Sequence, residues 1–251
     1  MELAFDDEGA GPALVLVHGH PFNRSMWRPQ VEHFRSSHRV IAPDLRGYGA
    51  SPVVPGKTPL AAFAWDIADL LDRLKVENCI MAGLSMGGQI VMEFHRLFPE
   101  RLRGMVLADT SPVGETPEGK EFRYATAERL LAEGMEPYAD EVLPLMVSPA
   151  NAEASKIVLE MMRASPPEGA AAALRGRAER PDYVESLAHT ETKTLIVVGR
   201  EDAYTPVNEA EELHSRMRDS ELVIVEGAAH LPNLERPEEF NAALERFLGR
   251  A

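Results

Sequence analysis

Apolar residues fall along the chain in short unbroken runs, separated by longer stretches where they recur every three or four positions. The runs are 13–17, 38–43, 79–82, 105–108, 194–198 and 222–225. Each is continuous rather than alternating, as expected of strands covered on both faces in a parallel sheet. Between them, Leu60, Phe63, Ile67, Leu70, Leu71 and Leu74 mark one apolar helix face behind Thr58-Pro59. Ile90, Val91, Phe94 and Leu97 mark a second helix, which Pro99 stops. Phe240, Leu244, Phe247 and Leu248 mark a third, which Pro237 opens. Alternating strands and helices predict right-handed crossovers and an α/β fold with a doubly wound, mostly parallel sheet.

The stretch from Pro112 to Thr192 breaks the alternation. It has no strand run and is rich in Ala, Glu and Met. Leu130, Leu131, Leu143, Ile157, Met161 and Met162 suit several short helices. A structureless loop of that length is not expected in a compact domain. The chain therefore reads as one structural domain, with a core from residues 1–111 and 193–251 and a helical insertion at 112–192. Its 251 residues fit a single domain.

Composition narrows the partners. The chain has 26 Lys+Arg against 40 Asp+Glu, a formal charge of −14. That balance excludes a phosphate-backbone footprint and argues against anionic membrane surfaces, so neither nucleic acid nor membrane is expected as a partner. No apolar run approaches the ~18 residues of a membrane span. Residues 1–8 show no basic segment followed by an apolar one, so a cytoplasmic protein is expected. The single cysteine, Cys79, excludes an internal disulfide framework. No His/Cys/Asp cluster has zinc spacing and no Gly-rich phosphate loop appears, so neither metal nor cofactor is expected.

The strongest chemical signal is Gly83-Leu84-Ser85-Met86-Gly87-Gly88. Small residues cluster in many turns, and alone the pattern says little. Here it sits between a strand run and a helix, where Gly-x-Ser-x-Gly makes a nucleophile elbow. The glycines leave room for the tight turn, and the helix N-terminus faces developing negative charge. A serine hydroxyl needs a base. His230, in Gly227-Ala228-Ala229-His230, is the last of eight histidines and follows the last strand run. Its bland alternative is a surface loop histidine. His33, His38, His95, His189 and His214 have no comparable setting, and His18 is expected to brace its loop.

The elbow fold places the acid between serine and histidine in chain order. Asp202, in Gly199-Arg200-Glu201-Asp202, directly follows the run 194–198 and is favoured. Asp109, after 105–108, is the rival, expected instead to brace the insertion. The oxyanion needs two donors. The backbone N–H of Met86 follows the nucleophile, and that of His20 lies in Val17-His18-Gly19-His20-Pro21; Pro21 has no N–H to give. Phe22 and Trp27 are candidates for the pocket wall, with core packing as the alternative.

Five segments in order now resemble one family: His18-Gly19-His20-Pro21, Asp44-Leu45-Arg46-Gly47-Tyr48-Gly49, Gly83–Gly88, Gly199–Asp202 and Gly227–His230. Across nearly the whole chain the sequence resembles the α/β-hydrolase superfamily, in its serine-nucleophile branch. Within it the chain is similar to small microbial carboxylesterases and 3-oxoadipate enol-lactonase-like proteins. The resemblance implies a helical cap over 112–192, a triad at Ser85, Asp202 and His230, and an oxyanion hole at His20 and Met86. Because little chain precedes Ala13, it implies about seven strands, the first near Glu2–Phe5.

The expected function is a serine hydrolase of the carboxylesterase type, cleaving small or medium carboxylic esters or lactones through an acyl-enzyme. The same site suits acyl transfer, perhydrolysis, C–C hydrolysis or a lyase reaction, and a ligand receptor that keeps the triad is a further alternative. The stretch 112–192 carries 8 Lys+Arg and 15 Asp+Glu, a net −7. Over a pocket entrance, that charge would repel anions and suit neutral esters.

Overall fold

The structure, a computed structural model, describes residues 1–250. Its first half runs β1 (Phe5–Glu8), β2 (Ala13–Val17), α1 (Arg28–Phe34), β3 (Arg39–Pro43), α2 (Leu60–Arg73), β4 (Cys79–Leu84), α3 (Met86–Leu97) and β5 (Leu102–Ala108). Five helices follow without a strand: α4 (Pro117–Glu133), α5 (Glu136–Met146), α6 (Ala152–Arg163), α7 (Pro167–Arg177) and α8 (Val184–Ala188). The chain then re-enters the sheet through β6 (Lys193–Gly199), α9 (Val207–Arg216), β7 (Ser220–Val225), α10 (Pro232–Glu235) and α11 (Pro237–Leu248).

The seven strands order as β1-β3-β2-β4-β5-β6-β7, and only β1 runs antiparallel to its neighbour. The unbroken apolar runs have the expected cause. Along β2, Val15 and Val17 enter a core with α2, α3 and α7, while Leu14 and Leu16 enter a core on the opposite face with α1 and α11. Alternate residues point to opposite faces, and both faces are covered. Truncating a fully buried Leu16 or Leu107 to alanine is worth about 2–5 kcal/mol of lost transfer energy and cavity.

The first strand lies at Phe5–Glu8 rather than near Glu2–Phe5. Phe5 packs against the core, but the rest of the strand is held by ion pairs, one of them to β3. Arg39 bonds Asp7 at 2.7 Å, Arg24 bonds Asp6 at 3.0 Å and Arg35 bonds Glu8 at 3.0 Å. A hydrophobicity reading does not register such a polar edge strand. Leu3 is instead buried in the core beside α2. Cys79 is buried in β4, and desolvation pushes its thiol up to about 12, so it stays a protonated packing group. No helix among the described residues is long and apolar enough to cross a membrane.

The topology fixes where a ligand can sit. The chain goes from β2 to β3 on one side, then returns to β4 on the other. Crevices form at such reversals, beyond the carboxyl ends of the strands. His20 follows β2, Ser85 follows β4, Asp109 follows β5, Asp202 follows β6 and His230 follows β7.

Candidate active site

Ser85 stands between β4 and α3 with φ 57° and ψ −117°, a backbone conformation that a non-glycine residue holds only when its surroundings impose it. Here they do. The Ser85 N–H donates to the Ala108 carbonyl at 2.9 Å, and Thr110 Oγ1 donates to the Ser85 carbonyl at 2.7 Å. A Cβ at Gly87 would collide with the Val17 carbonyl, and one at Gly83 with the Gly87 carbonyl. The two glycines let β2, β4 and α3 meet close enough to hold the turn.

His230 and Asp202, 28 residues apart, are joined: His230 Nδ1 lies 2.8 Å from Asp202 Oδ2. The rest of the carboxylate is also engaged. Oδ1 accepts the Tyr204 N–H at 2.8 Å, and Oδ2 accepts the Thr205 hydroxyl at 2.5 Å. Burial opposes ionisation of Asp202, but the His230 ring, the Thr205 hydroxyl and the Tyr204 N–H outweigh it and hold the carboxyl below its ordinary range. Nδ1 is therefore the nitrogen bound to the acid, and Nε2 faces away from it. His230 and Ser85 line one cavity of about 360 Å³, although no hydrogen bond joins them among the described residues. Such contacts often tighten only when substrate binds.

The backbone N–H groups of His20 and Met86 donate to no protein acceptor among the described residues. The Gly19 carbonyl turns inward to accept Phe22 N–H at 3.1 Å, and the His20–Pro21 peptide is cis. Behind this turn, His18 Nε2 accepts the Leu45 N–H at 3.0 Å while Nδ1 lies 2.8 Å from the Gly19 carbonyl. Burial lowers the His18 pKa to about 4, so the ring is a neutral brace, as its loop position predicts. His20 Nδ1 meets the Tyr48 hydroxyl at 2.7 Å, and its buried Nε2 has no partner. Desolvation, reinforced by Arg177 and Arg123, holds the His20 ring well below the ordinary histidine range.

Asp109 is fully buried beside this pair. Its Oδ1 accepts the Gly199 N–H at 2.8 Å, while Oδ2 has no partner. Desolvation, reinforced by Asp202, raises its pKa well above the carboxylate range. It braces the start of the Asp202 loop rather than the helical segment. Asp109, Asp202 and His230 gather ligand-type atoms within 4.8 Å, a spacing compatible with a metal ion. His230 Nδ1 is already committed to Asp202, and Asp109 is brought beside them by the adjacent strand ends of β5 and β6.

The model of the alpha/beta hydrolase family matches residues 14–243. The chain belongs to that family. It is 28% identical to 3-oxoadipate enol-lactonase 2 of Acinetobacter baylyi, over 95% of this chain and 89% of that one. A thermophilic esterase from Thermogutta terrifontis, solved with malate bound, superposes with a TM-score of 0.97 at 39% identity, covering 99% of this chain and 93% of that chain. The enol-lactonase of Burkholderia xenovorans superposes at 0.91 with 25% identity, over 99% and 96%.

Two expected wall residues belong elsewhere. Phe22 and Trp27 are buried in the core under β2, where the Trp27 ring packs on Phe240 of α11 at 5.9 Å. A bulky aromatic completes the seam between α1 and α11, and none of it reaches the cavity. The walls come from residues that the sequence did not single out. Tyr138 of α5 stands over His20 at 6.1 Å, and Tyr204 over His230 at 5.2 Å. Arg123, Arg129, Arg177 and Arg180 also line the cavity, together with Glu115, Glu141 and Glu209. The net −7 of residues 112–192 therefore does not describe the cavity itself, where four guanidiniums stand beside three glutamates.

The His230 loop is tied to the helical segment. His230 N–H donates to the Met146 carbonyl at 3.1 Å. Glu235, buried in α10, accepts the N–H groups on either side of the histidine, Ala229 at 2.9 Å and Leu231 at 3.2 Å. Nothing in a four-residue Pro-Asn-Leu-Glu helix marks that glutamate in the sequence.

Proposed function

We propose that this protein is a serine hydrolase that cleaves small or medium carboxylic esters or lactones through an acyl-enzyme. One contact carries this reading: His230 Nδ1 to Asp202 Oδ2 at 2.8 Å, with the ring and Ser85 on the same cavity. In it, His230 Nε2 takes the proton of Ser85 as the oxygen attacks the carbonyl carbon. Asp202 holds the imidazole tautomer and stabilises the imidazolium. The free N–H groups of His20 and Met86 receive the oxyanion, aided by the N-terminus of α3. The carbonyl re-forms, and the alcohol leaves with the proton from His230. A water molecule then gives its proton to His230, attacks the acyl carbon and releases the acid, restoring Ser85.

The neutral His18 and His20 rings suit this scheme, since neither competes for the proton. Helices α4–α8 serve as the cap and supply the outer wall of the pocket. A cavity of about 360 Å³ fits a small molecule. The names of the relatives, esterase and enol-lactonase, favour ester and lactone substrates.

The deciding experiment pairs a neutral short-chain nitrophenyl ester with an organophosphonate probe. Multiple turnover, and labelling at Ser85 that is lost in Ser85→Ala with the fold retained, is the expected result. Retained turnover in Ser85→Ala overturns the assignment. Labelling without turnover favours the receptor alternative, and product ratios with added alcohol or peroxide separate hydrolysis from acyl transfer.

A further inference from the structure

Arg177 is the last residue of α7, and its side chain is buried, with 8% of the residue exposed. Its Nε donates to Gln89 Oε1 at 3.1 Å. Its two terminal nitrogens meet no protein acceptor among the described residues, and it takes part in no ion pair. The other three arginines of the cavity are paired: Arg129 with Glu141, and both Arg123 and Arg180 with Glu115. The groups acting most strongly on Arg177, besides burial, are Arg123, Arg180 and the hydroxyls of Tyr48 and Tyr138. Among the rim carboxylates, Glu141 pairs with Arg129, and Glu209 belongs to α9, beyond the Asp202 loop. A buried charge normally has a counter-ion, and the C-terminus of α7 supplies only a partial one.

The position of Arg177 is fixed. Gly176 presses on the loop before α2 so closely that a Cβ there would collide with the Thr58 carbonyl. Thr58 N–H donates to the Ala172 carbonyl at 2.9 Å, and Ala170–Ala173 are buried. Gln89, which holds Nε, is four residues after Ser85, one turn along the same helix. A turn rises by ~5.4 Å, so the guanidinium is anchored a short distance from the nucleophile. Its free edge opens on the cavity that Ser85 and His230 line.

Resting on the ester-hydrolase reading of the same cavity, we infer that Arg177 binds a carboxylate of the substrate. The preferred ester or lactone carries a free carboxylate a few atoms from the scissile carbonyl. The planar fork of arginine suits a carboxylate better than a point charge does, and the counter-ion missing from the protein arrives with the substrate.

The test compares charged and neutral esters of matched shape. Monomethyl succinate against methyl butanoate places the carboxylate on the acyl side; acetoxyacetate against ethyl acetate places it on the alcohol side. The expected result is that the wild-type protein prefers the acid in at least one pair. Arg177→Gln should then lose about 10–100-fold in kcat/KM on that acid, mostly through KM, while its neutral partner changes little. Arg177→Lys should recover part of the loss. Succinate should inhibit neutral-ester hydrolysis competitively in the wild-type protein, a readout that needs no variant to fold. Preference for the neutral ester in both pairs, equal losses on both substrates, or no inhibition by succinate overturns the inference while leaving the hydrolase reading intact. Failure of every ester together with absent labelling of Ser85 instead removes the hydrolase reading itself.

Discussion

Glu235 Oε2 accepts the backbone N–H of Ser148 at 2.8 Å, across 87 positions of sequence. Its other oxygen holds Ala229 and Leu231, so one buried carboxylate sets both the His230 loop and the end of α5 against it. Asn151 Nδ2 adds a further bond at 2.7 Å. Glu235→Ala leaves four donors without their acceptor. It should cost about 2–4 kcal/mol in urea unfolding. A loop displaced by 1 Å is enough for about 100-fold in rate, so kcat should fall more than KM rises. Glu235→Gln keeps one acceptor oxygen and should fall between. An unchanged kcat in a folded Glu235→Ala protein contradicts the positioning role.

The turn at Ser85 stores strain. Glycine adopts φ 57° without the side-chain clash, so Ser85→Gly should be more stable than Ser85→Ala by about 1 kcal/mol. In an ordinary helix or strand the order is reversed. Both variants should be inactive, and chemical unfolding distinguishes them. A less stable glycine variant means that the turn is not strained.

Asp202 and Asp109 follow neighbouring strands, and only one contacts the histidine. Asp202→Asn should cost roughly 10⁴ in kcat, because an amide favours the wrong imidazole tautomer. Asp109→Asn should stay within a few-fold, since Asp109 makes no hydrogen bond to His230 and burial already pushes its carboxyl toward the neutral form. Single-turnover acylation rates for the two variants settle the order. The reverse order would give the acid role to Asp109.

The same two groups pull stability in opposite directions with pH. Asp202, held low, stabilises the fold above the ordinary carboxylate pKa, and that contribution is lost as pH falls through the lowered value. Asp109 is raised: its contribution is complete below its ordinary value of 3.8 and is lost as pH rises through the raised one. Asp109→Asn removes that loss. Its unfolding free energy relative to wild type should therefore increase from about pH 4 to about pH 8. A difference that stays flat with pH would mean Asp109 is ionised in the folded protein.

Much of this was legible in the sequence, for identifiable reasons. Strands buried on both faces leave unbroken apolar runs, and six of the seven were visible that way. Ser85, Asp202 and His230 could be located because each directly follows such a run. The first strand, expected near Glu2–Phe5, lies at Phe5–Glu8 and left no apolar run, because ion pairs hold most of its side chains. Trp27 and Phe22 read equally well as wall or core, since an aromatic side chain near a loop carries no sign of its direction. Arg177 and Glu235 were invisible for a stronger reason. A charged residue is informative only when buried, and burial of these two is created by segments 88 and 87 residues away.

Gly176 gives the pocket a mechanical tolerance. Because backbone touches backbone there, the wall that carries Arg177 has no slack toward the core; it can be moved only outward. Each added carbon at position 176 is a shim under α7. Alanine and then valine at that position should push the end of α7 off the Thr58 loop in graded steps, and with it the residue that follows, Arg177. Position 176 thus sets how closely the end of α7 can approach the loop before α2, and glycine allows the closest approach.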